Sequence, residues 1–181
     1  MKYVALLRGV NVGGNHRVPK AEFQKVLEDL GFKEIIIYIN SGNAVFTSEN
    51  EPKQSEVQAA LEKYFGFNIP TLLLSSERIQ AIAAAIPPDW TNDTPTPDKV
   101  GQKSDVLYLF DDINTPAILE NLGYNPENET MIYVDGAVLA NITRKNQSRY
   151  SLLRIMGTPL YRQMTIRNIT TAKKLAELVA Q

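Results

Sequence analysis

The chain contains no cysteine and a single histidine. Without cysteine there is no disulfide framework, no thiolate nucleophile and no sulfur-bound zinc. With His16 alone, a zinc site built on a histidine pair is excluded within one chain, and a serine–histidine–acid triad would have to use that one residue. Its neighbours Asn15 and Arg17 read as an exposed loop. No run of eighteen apolar residues exists, so no membrane span is expected. The opening MKYVALLRG carries one lysine and an apolar run too short for a signal peptide. A cytoplasmic, bacterial-type protein with no membrane attachment is the natural reading. Hydrophobic residues at 44% and charged residues at 22% place the chain among globular proteins rather than disordered ones.

Net charge is −1, and acid and base are segregated along the chain. Ten acidic residues and only two basic ones, Lys99 and Lys103, lie between Asp89 and Asp135. Between Gly136 and Ala176 there are eight basic residues and no acid. Segregation of this kind fits either an anionic partner or mutual neutralisation on folding.

Apolar spacing divides the chain into two similar halves. In the first, KYVALLRG reads as a buried strand and PKAEFQKVLEDLGF as a helix closed by Gly31. EIIIYIN and AVFTS read as strands joined at SGN, QSEVQAALEKYFG as a helix with Val57, Leu61, Tyr64 and Phe65 inward, and IPTLLLS as a strand near a sheet edge. SERIQAIAAAI is a further helix. The second half gives DVLYLF, NTPAILENLG, MIYV, AVLANI, NQSRYSLLRIMG, MTIRN and TTAKKLAELVAQ, the same order of strand, helix, two strands, helix, strand and helix. The expected fold class is therefore α+β, a duplicated ferredoxin-like βαββαβ design with antiparallel sheets and helices on one face. Expected boundaries are 1–86, a proline-rich linker 87–103, and 104–181. Trp90 in that linker reads as a plug between neighbouring elements.

LLRGVNVGGNHRVPK looks at first like a phosphate loop. Gly9 and Gly14 have Walker spacing, but Asn15 and His16 stand where lysine and a hydroxyl are needed, and Pro19 starts the helix late. The dinucleotide pattern is absent as well. Gly13 and Gly14 still offer a turn with free amides, flanked by Arg8 and Arg17.

The segments LLRGVNVGG, YINSGNAVF and TIRNITTAKKL together resemble the bacterial family known as domain of unknown function 1697. The resemblance implies a duplicated ferredoxin-like chain, no established activity and no catalytic residues. It draws attention to Arg8, Asn11, Gly13 and Gly14, to Ser41, Gly42 and Asn43, and to Arg167, Asn168 and Thr171.

Arginines, asparagines and glycine amides suit the holding of phosphate or carboxylate and suit proton transfer poorly. The expected function is binding of a phosphorylated or other anionic small ligand where the RGVNVGG loop and the TIRN segment converge. Candidate ligand residues are Arg8, Asn11, Gly13, Gly14, Asn43, Arg167, Asn168 and Thr171. Phosphate-backbone binding to RNA is the alternative. GNAVFTSE, with Phe46 as its one aromatic, lacks the usual base-stacking signature. An enzyme of unknown chemistry and a protein adaptor also remain open. Asp111-Asp112 could hold a metal at a strand end, but reads more simply as a solvated turn. No cofactor and no oligomeric state can be read.

Overall fold

The computed structural model describes residues 1–181. The chain divides into two compact units, Met1–Ile79 with Leu175–Gln181, and Gln80–Lys174.

The first unit carries β1 (Lys2–Leu7), α1 (Lys20–Asp29), β2 (Lys33–Tyr38), β3 (Asn43–Thr47), α2 (Gln54–Phe65) and β4 (Thr71–Ser75), followed by α3 (Ser76–Ala84). Its strands form one antiparallel sheet in the order β2-β3-β1-β4. Two separated strand–helix–strand crossovers with a hairpin between them produce this order, the split βαβ arrangement. Alternation along β1 sends Tyr3, Ala5 and Leu7 to the helix side. There they join Phe23, Val26 and Leu27 of α1, Ala44 and Phe46 of β3, and Val57 and Leu61 of α2. Val4 and Leu6, on the opposite face, are fully buried too. Tyr64, expected to face inward, is 46% exposed, because Val57 and Leu61 already set the inward stripe of α2.

β4 is an edge strand, as Pro70 suggested, and its edge is closed by side chains. Gln54 and Gln58 of α2 accept hydrogen bonds from the backbone amides of Leu73 and Thr71, and Glu62 accepts one from Ile69. A one-turn spacing on the helix meets a two-residue spacing on the strand. These three amides, which would otherwise invite a foreign strand, are thereby occupied.

The second unit repeats the plan with β5 (Gln102–Leu109), α4 (Ile118–Asn121), β6 (Glu129–Val134), β7 (Ala137–Thr143), α5 (Ser151–Ile155), α6 (Pro159–Arg162), β8 (Met164–Asn168) and α7 (Ile169–Ala180). Its order is β6-β7-β5-β8, again antiparallel. The fold is thus a duplicated ferredoxin-like α+β chain. α3 and α7 straddle the division between the units.

NQSRYSLLRIMG, expected to be one helix, is broken. Arg144–Arg149 winds as a 3-10 turn, Tyr150 is extended, and α5 starts after it. Tyr150 is held in that break because its ring is buried and its hydroxyl donates to Asp105 Oδ2 at 3.3 Å. Lys103 pairs with the same carboxylate. Glu129 then caps α5 by accepting from the amide and the hydroxyl of Ser151. Two buried carboxylates are thus each satisfied by groups at this break.

Residues 87–103 are folded as part of the second unit. Asp93 accepts from the Gln102 amide at 2.6 Å and pairs with Lys99, and Arg144 Nε donates to the Asp93 carbonyl at 3.0 Å. The Lys99 ammonium and the Gln102 amide hold the Asp93 carboxyl down at about 2. Trp90 is buried.

Candidate functional site

The loop after β1 folds as a miniature hairpin. The Asn11 amide donates to the His16 carbonyl at 3.0 Å, and Asn15 donates to Val12 at 3.1 Å. Gly13 and Gly14 occupy the two turn positions with φ of 59° and 80°. That pair of left-handed residues is what a tight two-residue hairpin demands. Neither glycine amide makes a hydrogen bond within the chain.

Asn11 proves to be a brace. Its Nδ2 donates to the carbonyls of Val18 at 3.1 Å and Asn40 at 2.7 Å, and its Oδ1 accepts from the Val18 amide at 2.8 Å. A side chain used three times over is a poor ligand donor. Asn43 is fully buried, with Nδ2 donating to Tyr38 and Ser41. Arg8 is half-buried, and its backbone amide donates to Pro70 at 2.9 Å.

Between the braced loop and the β2–β3 turn lies a cavity of about 320 Å³ lined by Asn11, Gly14, Arg17, Val18, Pro19 and Asn40. Arg17 is exposed and has no ion-pair partner. Pro19, which lines the cavity, precedes α1 and supplies no side-chain cap to its first amides, and Glu22 lies in that first turn. Arg17, Val18, Pro19 and Asn40 were missing from the residues expected at the site. Proximity of Arg17 to the glycine turn in sequence was the available signal.

In the second unit Arg167 is buried on β8. Its NH1 donates to Thr165 Oγ1 and to the Ile166 carbonyl, each at 2.9 Å. Burial lowers the guanidinium to about 10, while neighbouring Tyr108 opposes the shift. Asn168 caps α7, its Oδ1 accepting from the Thr171 amide at 2.9 Å, and Thr171 is buried. Asp111 and Asp112 sit exposed on a 3-10 turn. Phe46 faces the helices of the first unit, stacked on Phe32 at 4.3 Å, and offers no ring to a base.

Comparison of the two repeats separates maintenance of the fold from what is added to it. Leu7 N donates to Gly42 O at 2.8 Å, and Leu109 N to Gly136 O at 2.9 Å. Arg8 N reaches Pro70 O, and Phe110 N reaches Gln163 O. These bonds equate Leu7 with Leu109, Arg8 with Phe110, and Gly42 with Gly136. Asn11 pins its hairpin through Asn40, and Asn114 pins the other by accepting from the Gly136 amide at 2.8 Å. The glycine and the asparagine are therefore scaffold, present in both copies. The Gly13–Arg17 excursion belongs to the first copy alone, as does the longer turn Ile39–Gly42, where the second copy needs only Asp135 and Gly136. Both enlargements border the same cavity.

The family described as "Protein of unknown function (DUF1697)" matches residues 1–139. The chain belongs to that family. The matched stretch holds the first two motifs, and the TIRN segment lies beyond it. No curated protein matches the chain. Among solved structures, the conserved bacterial protein SP0830 from Streptococcus pneumoniae is similar, with 26% identity, a TM-score of 0.76 and 98% of each chain covered. No helix is long and apolar enough to cross a membrane.

Proposed function

We propose that the protein binds a small ligand bearing a phosphate or carboxylate, held at the Gly13–Arg17 end of the first unit. The observation that supports this reading is the polar cavity beside an unpaired guanidinium, bordered by a loop excursion that the other repeat lacks. Arg17 supplies charge and a planar donor fork, the start of α1, without a side-chain cap, favours negative charge, and the free Gly13 and Gly14 amides add donors near the rim. Such a set recognises an anion, and its guanidinium, which stays charged, holds the ligand rather than moving a proton.

Thermal melting with inorganic phosphate, a nucleoside triphosphate, a sugar phosphate and citrate, at low and high salt, tests the reading. A ligand at a hundredfold excess over its Kd stabilises by about 2.7 kcal/mol, a rise of roughly 5–10 °C for a chain of this size. Arg17→Gln removes the rise and high salt reduces it. Melting curves that no anion moves, or that move equally in Arg17→Gln, would overturn it.

A further inference from the structure

The acid-free stretch after Gly136 answers the question raised by its charge. Lys145, Arg149 and Arg162 are exposed and make no ion pair. Arg154 is exposed too, and its NH2 donates to the Gly123 carbonyl at 2.8 Å, a contact that leaves its charge uncompensated. Neutralisation by the acidic stretch has not taken place at these positions.

The same segment exposes two large aliphatic side chains. α5 turns Ser151, Leu152 and Ile155 inward, while Leu153 and Met156 stand 49% and 57% exposed. Gly157 follows in open space, and Thr158 then starts α6, which ends on Arg162. Burial of Tyr150 behind Asp105 and of Ser151 behind Glu129 anchors the segment from within. Along Lys145–Arg162, exposed cations thus flank exposed apolar side chains.

The geometry points to this face, Lys145 to Arg162, as a docking surface for an anionic lipid bilayer. Unpaired guanidinium and ammonium groups complement acidic headgroups, and Leu153 and Met156 enter the boundary with the acyl chains. Nucleic acid fits less well. The tyrosines of the segment are buried or half-buried and present no ring for stacking, and exposed leucine and methionine gain nothing from a phosphate backbone.

Flotation of the full chain with vesicles tests the assignment. The protein floats with vesicles holding phosphatidylglycerol in phosphatidylcholine, stays behind with pure phosphatidylcholine, and is released by about 0.5 M salt. Arg149→Gln and Arg162→Gln each weaken partitioning roughly fivefold. The exposed pair Leu153→Ser and Met156→Ser weakens it without lowering the melting temperature. Absence of flotation with the anionic vesicles overturns the proposal. So does tighter binding to an oligonucleotide that the Leu153 and Met156 substitutions leave unchanged, which would assign the face to nucleic acid.

Discussion

Gly42 shows how much one missing methyl group can matter. A Cβ there would stand 2.7 Å from Leu7 Cβ and 2.8 Å from Val10 Cγ2, at a φ of 73°. Both neighbours are buried, so neither can yield. Gly42→Ala is expected to cost about 3 kcal/mol in urea denaturation, from overpacking and from backbone strain together. Gly14→Ala meets nothing within 4 Å and pays only the strain of its φ, about 1 kcal/mol. Equal losses at the two positions would refute the packing argument. Ile39 is the opposite case. It is β-branched, 39% exposed and held at φ 51°, in the turn that borders the candidate cavity. Asparagine enters that region easily, so Ile39→Asn should raise stability by about 1 kcal/mol. A strained residue kept beside a cavity is where ligand contact is sought first. The glycines of the loop were legible in the sequence because their conformational role is local. The bracing role of Asn11 was not legible, because its partners, Val18 and Asn40, leave no local mark.

Among elements, the strands and long helices were legible because alternation and helical spacing each bury one face, and β1, α1, α2 and α7 obey that rule without competition. The segment NQSRYSLLRIMG, Asn146–Gly157, expected to be one helix, still breaks. Its break is decided by Asp105, far away in sequence, which ties Tyr150 into an extended conformation. The test lies in the ion pair beneath. Lys103 retains 28% side-chain exposure and Asp105 only 6%. Lys103→Met leaves a buried carboxylate without its cation, and should cost about 3 kcal/mol by denaturant titration. Adding Asp105→Leu together with Tyr150→Phe should restore much of the loss, since the Tyr150 hydroxyl would otherwise be left without its acceptor and an apolar set of similar bulk tolerates burial. If this triple variant is weaker than the single, the group contributes more than mutual neutralisation.

For the whole molecule, alkaline pH is the informative direction. Burial pushes the hydroxyls of Tyr108 and Tyr150 well above 10.0, and Asp105 and Glu129 push Tyr150 further. Above pH 10 the unfolded chain releases these two protons and the folded chain keeps them, so stability falls as pH rises. Arg167 works the other way. Lowered from 12.5 to about 10, it loses its proton first in the folded state, and this returns stability over that window. Burial raises Tyr3 as well, so three tyrosines against one arginine leave a net decline. Absorbance at 295 nm should therefore show two tyrosines that ionise only as the fold is lost. Smooth ionisation of every tyrosine below pH 11 would contradict their burial. At this scale the sequence revealed the duplication through the order of its elements. It did not reveal which residues of the repeat are shared scaffold, because backbone hydrogen bonds, not residue identity, carry the correspondence of Gly42 with Gly136.

A Cβ added at Gly13 or Gly14 would meet no atom within 4 Å, and the chain possesses no thiol of its own. Val12→Cys, at a position 68% exposed beside Gly13, would create a unique attachment point for an environment-sensitive fluorophore. The labelled protein becomes its own reporter, able to screen metabolite libraries by emission colour before any ligand is known.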